Sequence, residues 1–367
     1  MNIALFTPNQ NPYSETFIQA HKHSLKRRVF YYYGGLYDMK LEGHPPLTQT
    51  TKNGLLKIKR KVYRKPYSYI REELLLHSLK NNNTDIVLVE YGTHAQQLMP
   101  VLKKSGLPVV VHFHGYDASV ESVIKNHNKY KEVFENASKI IAVSNVMVDR
   151  LKALGCPESK IIYNVYGPRP EFHLVEPTFS KKQFIAIGRF TDKKAPYYTI
   201  LAFAEAVKQH PDARLVMAGD GALLNMCKNL ARHLNIEKNL DFPGVVTAEE
   251  FREILKVSRA FVQHSITAAN GDMEGTPLAV LEASAAGLPV ISTKHAGIPD
   301  VIVDGKTGLL CDEHDVATMA NHMDMLLSDV EKAKAMGAAG KVHIEKYFTL
   351  ERHINELQKV LGDSLIS

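Results

Sequence analysis

Short apolar runs recur along the chain, each closing on polar or glycine residues. NIALFTP from Asn2, DIVLVEYG from Asp85, LPVVVHFHG from Leu107 and KIIAVSN from Lys139 are rich in Val and Ile. Runs this short and this uniformly apolar predict strands buried on both faces. Segments with helical spacing, such as ETFIQAHKHSL and AQQLMPVLKKSG, lie between them. Strand–helix alternation predicts a parallel sheet covered by helices. The pattern then restarts with FIAIGRF from Phe184, ARLVMAGDG from Ala213, RAFVQHS from Arg259 and LPVISTK from Leu288. NVYGPRPEF, residues 164–172, interrupts the two series with two prolines and a glycine. The fold class is therefore α/β, with two doubly wound domains at 1–170 and 171–349. A last helical pattern, LERHINELQKVL from Leu350, follows YFT. Its separation predicts that it packs elsewhere.

EGTPLAVLEASAAGLPV, residues 274–290, departs from a plain core helix. Thr276 suits an N-cap, Pro277 the first helical position and Gly287 a C-terminal stop. Between Leu278 and Ala286 the only ionisable residue is Glu282. A helix apolar all round is a buried helix, and a buried carboxylate needs a partner. A pair of ligand hydroxyls would serve. Glu274 lies just before the helix start, where free N–H groups and the positive dipole end suit a phosphate. Thr276 to Glu282 spans about 9 Å along a helix, the reach from a diphosphate to a ribose. A core helix with Glu282 turned to the surface is the plainer reading of the same stretch.

At 367 residues, with 45% hydrophobic and 23% charged residues, the chain has the composition of a two-domain globular protein. Cys156, Cys227 and Cys311 follow no metal or redox spacing and read as buried thiols. The N-terminus does not resemble a signal peptide and no apolar run is long enough to span a bilayer, so a cytoplasmic location is expected. The net charge of +6 is unevenly spread. Residues 1–170 hold 24 Lys and Arg against 13 Asp and Glu, a net of +11, leaving −5 for the remainder. The densest basic stretch, KNGLLKIKRKVYRKPYSYIR at 52–71, interleaves charges with Leu, Ile, Val and Tyr. It fits a solvated face or contact with anionic lipid on the inner face of a membrane. Nothing else in the chain supports nucleic-acid binding.

Polar and glycine residues gather at the predicted strand ends, where doubly wound sheets bind ligands. They are His112, His114 and Asp117 after one strand, Arg189 and Lys194 after another, and Gly219 and Gly221 after a third. Arg189 and Lys194 can neutralise a diphosphate together; a solvated loop is the alternative. A metal at His112 and His114 lacks a third ligand at a sensible spacing. Asp312, Glu313 and Asp315 flank a helix start and read as exposed caps. Neither a G-x-x-x-x-G-K-[ST] phosphate loop nor a G-x-S-x-G elbow occurs.

These segments, in this order, resemble a retaining glycosyltransferase of family 4 with the GT-B fold. Glu274 and Glu282 match the E-x7-E motif, and the block from Glu274 to Leu310 matches almost continuously. GRFTDKKAP matches the G-R-x-x-x-x-K-G loop with Ala195 in place of Gly. AGDG at 218–221, FPGVV at 242–246, HGYD at 114–117 and AVSN at 142–145 complete the resemblance. It implies two Rossmann-like domains facing across a cleft, with the last helix, about 350–367, returning to the first. The first domain would take the acceptor and the second the nucleotide-sugar donor. It also implies roles for residues. Arg189 and Lys194 would hold the donor diphosphate, Glu282 the ribose hydroxyls, and Glu274 with Gly275, Thr276, Pro277 and Leu278 the hexose and its phosphate. Gly219 would line the site, Val246 would present backbone to the base, and His114 would lie against the transferred sugar.

The resemblance implies hexose transfer, UDP-hexose favoured, to a lipid-linked or growing polysaccharide, with no metal and no other cofactor. GDP-mannose-dependent transfer, a nucleotide-sugar epimerase on the same fold, and a non-catalytic scaffold are the competing readings. Two departures fall on the acceptor side. NQNPYSETF, from Asn9, replaces a Gly-Gly loop, resembling exopolysaccharide-type members, with Ser14 as a helix N-cap. YNVYG replaces the usual P-N-G at the junction.

Overall fold

The computed structural model describes residues 1–11, 15–48 and 52–366. Ser14, the expected N-cap, lies outside them. The chain divides into two compact units. One comprises Met1–Val143, Met147–Asn164 and Ile354–Ser367, the other Ser144–Val146 and Val165–His353. The main division falls inside NVYGPRPEF, and most of the last helix, Leu350–Asp363, belongs to the amino-terminal unit. Within that unit the Lys26 N–H donates to Gln358 Oε1 at 3.0 Å.

The amino-terminal sheet contains β1 (Asn2–Thr7), β2 (Arg28–Tyr33), β3 (Lys40–Leu41), β4 (Ile86–Glu90), β5 (Val109–His112), β6 (Lys139–Ala142) and β7 (Ile161–Tyr163). Their order is β3-β2-β1-β4-β5-β6-β7, parallel except for β3. Tyr31, Leu5, Leu88 and Val110 lie in one register row. β4 and β5 are buried along their whole length, as continuous apolar runs require.

The carboxyl-terminal sheet contains β8 (Gln183–Ile187), β9 (Arg214–Ala218), β10 (Leu240–Gly244), β11 (Ala260–Gln263), β12 (Val290–Thr293) and β13 (Gly308–Cys311). Its order is β10-β9-β8-β11-β12-β13, all parallel. Phe184, Phe203, Leu215, Val262 and Met323 are among its core, each fully or almost fully buried. Side chains of this size contribute about 1.5–3 kcal/mol each when taken out of water. In both sheets the strand order reverses at the first strand, so the loops after β1 and β4, and after β8 and β11, flank a topological switch point.

Candidate functional site

The carboxyl-terminal site is built on glycine. A Cβ on Gly219 would lie 2.0 Å from the Gly188 carbonyl oxygen, and one on Gly221 would lie 2.6 Å from that of Phe190. Both glycines have positive φ, 131° and 151°. The loops after β8 and β9 therefore approach backbone to backbone, which a side chain would prevent. The Gly188 N–H donates to the Ala218 carbonyl at 3.0 Å and the Gly219 N–H to that of Gly244 at 2.7 Å. Val246 follows two residues beyond Gly244, past the end of β10.

Lys194 crosses this floor. Its Cδ and Cε would lie 2.8 Å from a Cβ on Gly188. Its Nζ sits 3.1 Å from Glu274 Oε1 and donates to Gln263 Oε1 at 3.3 Å. Burial alone would raise the Glu274 carboxyl, but Lys194 and then Lys193 outweigh it and hold the pKa at about 2. Burial lowers the Lys194 ammonium, opposed by Glu274. Arg189, one residue past Gly188, is exposed beside this pair. Arg189 and Lys194 line a common pocket with Gly188, Phe190, Thr199 and Gln263.

The loop carrying Glu274 is tied down by Lys193, His295 and Glu313. Buried Lys193 donates to Asp272 Oδ1 at 3.0 Å and the Met273 carbonyl at 3.2 Å, and its own carbonyl accepts from the Ile266 N–H at 2.9 Å. The Glu274 N–H donates to His295 Nε2 at 3.1 Å. Because Nε2 accepts, the proton on neutral His295 is on Nδ1, which donates to Glu313 Oε1 at 2.6 Å. Glu313 Oε2 also accepts from the Thr267 N–H at 2.8 Å. Glu313 is thus a clamp on this loop rather than an exposed helix cap. Asp315 is the cap, accepting from the Thr318 N–H at 2.9 Å.

The helix after the loop runs Leu278–Ala285, with Pro277 as its cap residue. It begins one residue later than expected, so Thr276 precedes the cap. Gly287 ends it at φ 81°. Thr276 and Pro277 are buried, whereas Gly275 and Leu278 are partly exposed. Glu282 is buried, as its isolation on an apolar helix requires. Its partner within the chain is Arg169, whose Nε donates to Glu282 Oε1 at 2.7 Å. The partner that a buried carboxylate requires is thus supplied by the chain itself. Burial raises the Glu282 carboxyl, and Arg169 pulls against it. Arg169 also lies over the Phe172 ring at 4.8 Å. Its place in the junction, remote in sequence from Glu282, gave no signal.

His114 belongs to the amino-terminal unit, at the end of β5. Its ring is buried, with Phe17 and Tyr91 rings at 4.5 and 4.4 Å. Fully buried Glu90 contacts His114 Nε2 at 3.0 Å and His21 Nδ1 at 2.7 Å. Burial opposes its charge, but His21 and His114 hold its carboxyl well below the usual range. Asp117 accepts from the His114 N–H at 2.8 Å and the Gly92 N–H at 2.7 Å. Burial nonetheless raises its pKa to about 6. Glu90, His112 and His114 present ligand atoms within 4.8 Å of one another. Glu90 is thus a third side chain of metal-ligating type beside the two histidines, which sequence spacing did not reveal. The contacts observed are those of a hydrogen-bonded relay that fixes the His114 ring.

Two open parallel sheets, each with its strand order reversing at the first strand, place the protein in the GT-B class. Anabaena Alr3699/HepE, solved with UDP and glucose, superposes with a TM-score of 0.75 at 14% identity, covering 99% of this chain and 100% of that one. Residues 173–343 match the family described as glycosyl transferases group 1, and residues 42–165 match glycosyltransferase family 4. The chain thus carries both glycosyltransferase domains, family 4 followed by group 1. WcaL of Escherichia coli (strain K12), named for colanic acid biosynthesis, is 31% identical over 219 residues, 58% of this chain and 53% of that protein. The amylovoran biosynthesis glycosyltransferase AmsK of Erwinia amylovora is 29% identical over 284 residues, covering 76% and 70%. The match spans about half the length of WcaL. Among the described residues no helix is long and apolar enough to cross a membrane.

Proposed function

We propose that the protein is a retaining, metal-independent glycosyltransferase. It moves a hexose from a nucleoside diphosphate sugar, UDP-hexose favoured, to a lipid-linked or growing exopolysaccharide acceptor. The observation that carries this reading is the Lys194–Glu274 pair on the glycine floor at the ends of β8 and β11, with Arg189 beside it. The names of WcaL and AmsK support a polysaccharide product, and the UDP and glucose bound by Anabaena HepE support the donor.

The bond from the hexose C1 to the donor phosphate oxygen breaks, and its electron pair leaves with the nucleoside diphosphate. The acceptor hydroxyl oxygen bonds C1 on the same face, and its proton passes to a donor phosphate oxygen. Arg189 and Lys194 offset the charge growing on the diphosphate, together with the N–H groups at the start of the helix Leu278–Ala285. Glu274 orients the hexose and keeps Lys194 charged. Glu282 takes a ribose hydroxyl through Oε2 while Arg169 holds Oε1. Val246 offers backbone to the base. His114 is a positioning residue whose ring is fixed by Glu90. Incubation of UDP-glucose, UDP-galactose and GDP-mannose with a prenyl-diphosphate-linked sugar, in excess chelator, tests the proposal. The α-anomers of the donors should give an α-linked product by NMR. A β-linked product or dependence on added metal would contradict the mechanism, and epimerised donor would favour the epimerase reading.

A further inference from the structure

The helix Lys52–Val62 is amphipathic in the opposite sense to a core-facing helix. At about 100° per residue, Asn53, Leu56 and Arg60 share the side that is partly buried. Leu55, Ile58 and Val62 share the opposite side and are 64%, 63% and 67% exposed. Tyr63 and Tyr67 beyond it are 68% and 75% exposed. Exposed Lys57, Lys59, Lys61, Arg64 and Lys65 flank this apolar stripe. No acidic residue occurs between Lys52 and Arg71. Arg60 lies over the Tyr67 ring at 4.1 Å, which ties the helix to the segment that follows it.

We infer that this face docks on an anionic bilayer surface, with Leu55, Ile58 and Val62 inserted at the acyl boundary and the lysines on lipid headgroups. An apolar stripe turned away from its own protein remains in water unless something covers it. A stripe edged by cations alone suits a surface that is apolar below and negative above. A protein partner would meet the cations with its own carboxylates, whereas a bilayer accepts the whole face without a matching shape. The inference is independent of the transfer reaction.

The protein contains no tryptophan, so an Ile58→Trp variant of the full chain carries a single reporter at the centre of the stripe. It is mixed with vesicles of phosphatidylcholine alone or with one quarter phosphatidylglycerol, and binding is followed by sedimentation and fluorescence. The expected result is binding to the anionic vesicles only, with a blue-shifted emission. The triple change Leu55→Glu, Ile58→Glu, Val62→Glu, made in the wild-type chain, should reduce partitioning at least tenfold without altering the melting temperature. Lys57→Gln and Lys61→Gln should each cost about fivefold. Equal binding to both vesicles, or binding without a blue shift, would overturn the inference. So would self-association abolished by the triple change, which would assign the stripe to a second copy of the chain.

Discussion

The Lys194–Glu274 pair gives a prediction that needs no substrate. Glu274 is held at about 2 against an ordinary 4.5, which corresponds to about 3 kcal/mol of preference for its charged form. Lys194→Met removes the cation in contact with it and leaves the carboxylate in a largely buried position. Breaking such a pair on one side costs about 3–5 kcal/mol. Lys193 continues to favour the charge, so about 2–3 kcal/mol is expected. That is about 4–12 °C in melting temperature for a unit of this size. Glu274→Gln should also destabilise, by stranding the Lys194 ammonium. In the Lys194→Met background, however, Glu274→Gln should cost nothing or restore stability, giving a coupling of about 2 kcal/mol. The assay is thermal unfolding of wild type, both single variants and the double variant, without nucleotide. Losses that add within about 0.5 kcal/mol would refute the reasoning. The pH dependence follows from the sign of the shift. The folded pKa is depressed, so the contribution of Glu274 is fully present above about 4.5 and is lost as pH falls towards 2.

Three further outcomes are expected. Gly219→Ala, which sets a Cβ against the Gly188 carbonyl, should abolish nucleotide binding and lower the melting temperature of the carboxyl-terminal unit by several degrees. Arg169→Ala leaves Glu282 buried without its cation. It should cost about 2 kcal/mol and weaken nucleoside diphosphate binding, while Glu282→Gln made on top of it should recover part of the stability in a melting experiment. Asp117 has a folded pKa raised to about 6. It therefore favours folding most fully at low pH and loses that contribution as pH rises from about 4 through 6. Asp117→Asn should flatten the stability profile across that window.

The sequence pattern carried both sheets and most of the polar residues that gather at the ends of β8 and β11. The strands it marked, β1, β4, β5, β6, β8, β9, β11 and β12, are the central ones, whose double burial demands uninterrupted apolar runs. β2, β3, β7, β10 and β13 were missed because most lie toward the sheet edges or are short. β10 holds Pro243, alternates exposed residues with buried or half-buried ones and shifts register between Asp241 and Gly244. Lys194 and Glu274 stood out because charge at an apolar strand or helix end is conspicuous. Lys193 did not, because adjacent lysines in a sequence do not show which one turns inward. Glu313 looked like a cap because its bond to His295 closes only in three dimensions. Glu90 was the one missed residue with a signal, an acid closing the apolar run DIVLVEYG.

A nucleoside diphosphate site around Lys194 is open to test by thermal shift with UDP, GDP, ADP and CDP in excess chelator. At about 100 times the dissociation constant, a bound ligand adds about 2.7 kcal/mol. The expected result is a rise with UDP that exceeds the other three and disappears in Lys194→Met. A rise that persists undiminished in that variant, or no rise with any nucleotide, would contradict it.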